Sequence, residues 1–384
     1  MNDNTVVRLG IVGLGNIARQ HINNVNSGAV PGCVLTAVCA RTTDQQRELP
    51  GVQYFASHQE LITSGLCDAV LVATPTFSHL EIGLAVLDAG LHLMMEKPIG
   101  LSTREGEQLL ARQATEQVFA LMLNQRADPL FEAMRDCIAQ GELGEITRTH
   151  WTMTHWFRPE VYFQVSEWRA TWVGEGGGLL VNQCIHNLDI FQWLTGMPSA
   201  LRGFCRFGRY HDIEVEDEVT AYLHYANGAS GVFVGSTGEA PGVNRLDIVG
   251  DRGSLCFDGE RLLLTRNTPA TSQYSRETRD MFGMPAFEAS DITPERSINQ
   301  HARVLANFVA AILEGEALIA PAAEGLNSLA LANAMLLSTW ESREVGLPLD
   351  SQVYQAALQQ RQRSSQLRQK ADIDAHIDMD ASYR

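Results

Sequence analysis

Five short apolar runs, at residues 8–12, 35–39, 69–73, 91–95 and 119–123, recur between amphipathic stretches over the first 124 residues. Each run is mainly apolar, as expected of a strand covered on both faces, and the alternation predicts βαβ units wound into a parallel, doubly wound α/β sheet. After Asn124 the rhythm changes. A helix is expected over 128–140, ending at Gly141 and Gly144, then a polar and aromatic segment, a glycine turn at 174–178 and a helix over about 180–194. Residues 200–266 alternate in period two, with turn signals at Asn227-Gly228, Gly250-Asp251 and Asp258-Gly259. That pattern reads as a mainly antiparallel sheet packed on one face by helices, a separate α+β domain. Helical spacing returns near 296–314 and 325–344, where helices are expected to cover the junction, and the polar tail from 359 reads as a frayed helix followed by a strap. The expected domains are 1–124 and 125–384.

A length of 384 residues allows two cores of ordinary size. The formal charge of −16 argues against nucleic acid or an anionic membrane surface as partner, since both need a basic footprint, and leaves a small molecule. No signal peptide and no bilayer-length apolar run is read in the sequence, so the expected location is the cytoplasm. Seven cysteines, odd in number and without a Cys-x-x-Cys pair, are expected to be reduced packing residues.

The first run leads into Gly13-x-Gly15-x-x-Ala18. The first glycine permits a tight turn, the second lets backbone approach a pyrophosphate, and the small third residue lets the helix pack on the strand. Asn16 and Ile17 then open a helix whose N-terminus favours negative charge. NAD is the expected cofactor. A carboxylate that would bind a ribose diol is missing after the second strand, where Ala40 and Arg41 stand, so NADP is not excluded; Arg41 suits a 2′-phosphate or the face of adenine equally. Thr74, Pro75, His79, Glu96, Lys97 and Asn124 are expected to line the cofactor cleft at the carboxyl edge of the sheet.

Lys97 follows an apolar strand, in Glu96-Lys97-Pro98, and a partly desolvated amine there can exchange a proton with a substrate hydroxyl; a structural pair with Glu96 is the alternative. Pro98 is consistent with a sharp turn that aims the lysine. In a helix, Asn182, His186 and Asp189 would share one face, just after Gly176, Gly177 and Gly178, whose backbone could approach a ligand. Zinc is not expected, because only His186 in this set is a good ligand. Between 151 and 172 lies an aromatic run that includes Trp156, Tyr162, Trp168 and Trp172, with Arg158 and Arg169. Aromatic rings stack on sugar C–H faces, and they equally fill cores and subunit interfaces. Arginines among apolar neighbours need an anionic partner, either an acidic residue of the protein or an acidic sugar.

These motifs together resemble the Gfo/Idh/MocA oxidoreductases, over nearly the whole chain in order and spacing. The resemblance implies an N-terminal Rossmann domain, a C-terminal domain with an open, mainly antiparallel sheet, and homodimers or homotetramers packed through that sheet. It implies hydride transfer between NAD(P) and a hydroxyl carbon of a sugar, inositol or related polyol, with Lys97 and His186 as the acid/base pair. The family's dehydrogenases often carry aspartate four residues before that histidine, where this chain has Asn182, so a full Lys-Asp-His arrangement is not assumed. Some relatives are NAD-dependent glycoside hydrolases that oxidise C3 transiently and return the hydride; the arginines would suit a sulfonated or uronic glycoside there. A dinucleotide-sensing protein without turnover would leave Lys97 and His186 without a task.

Overall fold

The computed structural model describes residues 5–40, 49–369, 371 and 373. The chain forms two compact units: residues 1–127, 173–176 and 298–329 make the first, and residues 128–172, 177–297 and 330–384 the second. The sequence boundary after Asn124 assigns 298–329 to the second domain, whereas its contacts gather it with the first. Those contacts come from helical faces that strand periodicity in the first 124 residues could not reveal.

The first unit holds β1 (Val7–Val12), α1 (Asn16–Asn26), β2 (Cys33–Cys39), β3 (Gln53–Phe55), α2 (His58–Thr63), β4 (Ala69–Val72), α3 (His79–Asp88), β5 (His92–Met95), α4 (Thr103–Arg112) and β6 (Phe119–Leu121). All six strands are parallel, in the order β3-β2-β1-β4-β5-β6. The five apolar runs are five of these strands; β3 was too short and polar to be read from the sequence. Burial explains the composition: every residue of β4 and β6 is buried. In α1 the buried Ala18, His21, Ile22 and Val25 form one stripe, and full burial of an aliphatic side chain such as Ile22 contributes about 1.5–3 kcal/mol. The start of α4 is fixed by Ser102, whose side chain accepts from Glu105 N–H, while Glu105 accepts from Leu101 N–H.

The second unit begins with α5 (Pro129–Ala139), capped by Asp128, whose carboxylate accepts from Leu130 N–H and from Arg296. Then come β7 (Ile146–Met153), α6 (Glu160–Gln164), α7 (Ile185–Thr195), β8 (Ala200–Phe207), β9 (Glu216–His224), β10 (Ser230–Ser236), β11 (Asn244–Gly250), β12 (Gly253–Phe257), β13 (Leu262–Thr268), α8 (Thr271–Glu277) and β14 (Ala286–Asp291). The chain continues through α9 (Gln300–Glu314), α10 (Ala322–Glu341), β15 (Val345–Gly346) and α11 (Ser351–Gln362). Nine strands form one open sheet, β14-β13-β12-β11-β7-β10-β9-β8-β15, antiparallel except for the β7–β10 pair. The three turn signals fall between β9 and β10, β11 and β12, and β12 and β13. Helix α7 and residues 330–341 of α10 lie on one face of this sheet: a Cβ on Gly231 would lie 3.3 Å from Phe191, and one on Gly203 2.6 Å from Met335 O. The tail acts as a strap on this unit, with Arg368 N–H donating to Glu167 O and Ala371 N–H to Gln164 O. All seven cysteines are free thiols, and burial pushes Cys33 up to about 12. Among the described residues no helix is long and apolar enough to cross a membrane.

Candidate active site

In the first unit, β1 runs into Gly13 at φ +97°, where a Cβ would lie 2.5 Å from Ala73 O. Only glycine fits that turn. Gly15 differs: its φ of −73° is ordinary, and a Cβ there would meet nothing within 4 Å. The protein itself does not require glycine at 15; what the missing side chain leaves open is the approach to the start of α1. No side chain caps α1 and its first turn carries no acid. Unpaired N–H groups at Asn16 and Ile17, with the positive end of the helix dipole, therefore fit a dinucleotide pyrophosphate. The strand order reverses between β1 and β4, and the carboxyl ends of parallel strands at such a reversal form the usual ligand crevice.

Thr74 and Pro75 follow β4 at this crevice, and Thr74 Cγ2 would lie 3.1 Å from a Cβ on Gly13. Ser78 donates to Thr74 Oγ1 at 2.8 Å. His79 is 1% exposed, with Nε2 2.9 Å from Thr74 O and Nδ1 2.8 Å from Pro98 O. It braces the turn after β4 against the turn after β5, and burial holds its pKa below the ordinary histidine value. Arg41 lies outside the described residues.

Lys97 follows β5 at the same edge, partly exposed, and the Lys97–Pro98 bond is cis. Glu96 is buried, and its carboxylate bonds His21 Nε2 at 2.7 Å. Burial pushes the Glu96 carboxyl up, but the hydrogen bond and charge of His21, with His301 and Lys97 nearby, hold it below the ordinary value. The His21 and His301 rings stand edge to face, 5.7 Å apart, and burial holds His301 down at about 4. Neither histidine was singled out in the sequence, although a signal existed: His21 continues the buried stripe of α1, and His301 that of Val304, Leu305 and Phe308 in α9. Asn124 is buried, donates to Gln300 Oε1 at 2.8 Å and leaves Oδ1 without a hydrogen bond.

In the second unit, His186 is the second residue of α7 and is 7% exposed. The expected helix over 180–194 starts late: residues 179–184 form turns, with Asn182 N–H donating to Gly178 O and Cys184 N–H to Leu179 O. Asn182 thus precedes the regular helix, and helical spacing does not fix its direction relative to His186. Asp189, 1% exposed, accepts from Gln192 Nε2 at 3.1 Å. The glycine turn is closed on protein. A Cβ on Gly178 would lie 2.3 Å from Glu216 O, and the buried Glu216 carboxylate accepts from Gly178 and Leu180 N–H, at 2.9 Å each. Glu216 was missed because an acid entering a strand usually faces water.

The aromatic run divides. Trp156 Nε1 donates to Asn187 Oδ1 at 2.8 Å, and Gln183 Nε2 donates to the Tyr162 hydroxyl at 3.2 Å, which ties both rings to the residues around His186. Arg158 lies over the Trp156 and Tyr162 rings and Arg169 over Tyr162 and Trp168. Trp172 is elsewhere, 6% exposed, against Phe207 and Trp340, with no open ring face for stacking on a sugar.

Residues 7–124 match the family model for the NAD-binding Rossmann fold of an oxidoreductase family, and residues 131–256 that for the GFO/IDH/MocA C-terminal domain. The chain is 28% identical over 318 residues to a scyllo-inositol 2-dehydrogenase (NADP(+)) of Bacillus subtilis, covering 80% of this chain and 87% of that protein. It is 24% identical over 349 residues to an inositol 2-dehydrogenase of Rhizobium meliloti, covering 89% and 99%. Among solved structures, the WlbA dehydrogenase from Bordetella pertussis, in complex with NADH and UDP-GlcNAcA, superimposes with a TM-score of 0.76 at 23% identity, over 90% of this chain and all of that one. A levoglucosan dehydrogenase in complex with NADH and levoglucosan gives 0.74 at 19%, over 89% and 99%.

Proposed function

The chain belongs to the Gfo/Idh/MocA oxidoreductases, and on that footing we propose that it moves a hydride between a nicotinamide dinucleotide and a hydroxyl-bearing carbon of a sugar or sugar derivative. One observation carries the reading. The Gly13–Gly15 turn after β1 and Lys97 after β5 stand at the same edge of one parallel sheet, with only β4 between their strands. At the usual strand spacing that is about 10 Å, the distance scale of a nucleotide laid across strand ends.

Asn16 and Ile17 hold the pyrophosphate through backbone N–H groups, while Thr74 and Pro75 line the crevice beside them. The bound dinucleotide supplies the hydride chemistry. Lys97 exchanges a proton with the reacting hydroxyl, for which its partial exposure at the strand end is suited. His186 is the second acid/base, and Asn182 a ligand for a neighbouring hydroxyl. Asp189 is buried and accepts from Gln192 of the same helix. A homo-oligomer packed through the open sheet accords with the exposed Phe204 and Tyr222 on β8 and β9.

The test is to purify the protein without added cofactor, identify any dinucleotide released from it, and screen free sugars, inositols and nitrophenyl glycosides while following NAD(P)H absorbance and aglycone release. Absorbance change with a free polyol supports the dehydrogenase. Aglycone release at flat absorbance with retained cofactor would replace it with a redox-assisted glycosidase. Dinucleotide binding without turnover of any sugar would overturn both.

A further inference from the structure

We propose that Arg169 and Arg158, both at the Tyr162 ring, form a clamp for an anionic group of the substrate, so that the molecule taken at His186 is an acidic sugar. This deepens the reading above and rests on it for the placement of substrate at His186. The geometry begins with one ring. The Arg169 guanidinium carbon is 4.3 Å from the centroid of Tyr162 and that of Arg158 is 5.4 Å from it, so two like charges share a single phenol. Arg169 reaches a second ring, Trp168, at 5.3 Å, and Arg158 reaches Trp156, also at 5.3 Å.

Two guanidiniums gathered among aromatic rings repel one another and lose part of their hydration, an arrangement that an anion relieves. The rings compensate only partly, through their faces. Among the described residues Arg169 pairs with no carboxylate, and its Nε is buried without a hydrogen bond. Two acids of this unit bond backbone N–H groups instead: Glu160 Oε1 accepts from Asp212 N–H, and Glu214 Oε1 from Trp172 N–H. The Arg169 fork keeps donors for a carboxylate, sulfonate or phosphate, which it can hold in bidentate fashion.

The clamp is attached to the catalytic helix at two points. Tyr162, the ring both arginines share, accepts from Gln183, three residues before His186; Trp156, beneath Arg158, donates to Asn187, the residue after it. The rings that carry the arginines are thus bonded to the residues on either side of His186. Trp172 is packed instead against Phe207 and Trp340.

The test measures binding and turnover separately, in the cofactor-loaded full-length protein, with D-glucuronate, D-glucose 6-phosphate and methyl glucoside as probes. Wild type should bind one of the two acidic probes by calorimetry more tightly than methyl glucoside, and which one identifies the anion. Arg169→Gln should lower the acidic-to-neutral preference by about 30-fold, the scale of one lost charged hydrogen bond, and Arg169→Lys should restore part of it. Thermal melts of both variants establish that each is folded. A preference unchanged in Arg169→Gln, or no preference in wild type, overturns the clamp and leaves the oxidoreductase reading standing if turnover persists. Arg169-dependent binding of an acidic probe without redox turnover of any sugar supports the clamp and sinks the oxidoreductase reading.

Discussion

Replacing Glu216 by alanine tests whether the approach to His186 is held by one buried carboxylate. Its two oxygens accept from the N–H groups of Gly178 and Leu180, and its own backbone carbonyl accepts from Leu179. Alanine keeps the backbone bond and orphans two buried donors. Each unsatisfied buried group costs about 1–3 kcal/mol, so the expected loss is about 4 kcal/mol. For a unit of this size that corresponds to a fall of roughly 10 °C in Tm. Turnover should fall too, since residues 178–184 set where α7 begins, and a misplacement near 1 Å at a reacting group can cost about 10²-fold. Glutamine keeps an acceptor oxygen in nearly the same shape, so Glu216→Gln should cost only about 1–2 kcal/mol. The assays are differential scanning calorimetry and steady-state kinetics on wild type and both variants. A Tm within 2 °C of wild type for Glu216→Ala, or equal damage from alanine and glutamine, would refute the argument from the two donors.

Lys97→Ala and His186→Ala should each lower turnover by about 10²-fold or more while leaving dinucleotide affinity and the melting curve near wild type; normal rates in both would remove them from the chemistry. Gly15→Ala meets no protein atom and should fold as wild type, yet weaken dinucleotide binding at least tenfold in a fluorescence titration, whereas Gly13→Ala, strained at φ +97° and 2.5 Å from Ala73 O, should lose stability before affinity can be measured. His301 is held at about 4 by burial, so the unfolded chain takes up its proton near the ordinary 6.5 while the folded chain does not. The stability this group contributes is complete above pH 6.5 and is lost as pH falls from there towards 4, by roughly 2–3 kcal/mol, and urea titrations should show His301→Gln flattening that slope. A slope unchanged by the substitution would assign the acid sensitivity to other groups, such as the buried His79, which acts with the same sign.

The first unit was the more legible in sequence because the central stretches of most of its strands are buried and apolar. The polar β3 escaped that criterion, and so did β7, whose residues from Ile146 to Met153 include an exposed arginine and a half-buried histidine. Helical periodicity located α9 and α10 but carried no information about which unit would collect residues 298–329. In the candidate site, Gly13, Gly15 and Lys97 were readable because each stands at a strand end next to residues that allow few other conformations. Asn182 lies before the regular helix, since the turns over 179–184 are closed by bonds to Gly178 and Leu179, beside the carboxylate of Glu216, which holds the Gly178 and Leu180 N–H groups from 38 and 36 residues away.

By itself the sequence determined the alternation of strands and helices, the glycine turn that leaves the start of α1 open, and the placement of a lysine at a strand end. These follow from local physics: side-chain periodicity, the left-handed backbone that glycine tolerates, and the direction in which a parallel strand delivers its last residue. Tertiary structure decided what each polar group meets. It gave Glu96 to the buried His21, closed Gly178 against Glu216, put Trp172 into an aromatic core and, among the described residues, left Arg169 on Tyr162 without a carboxylate. Such pairings join residues far apart in the chain, and only packing selects among partners that spacing leaves equivalent.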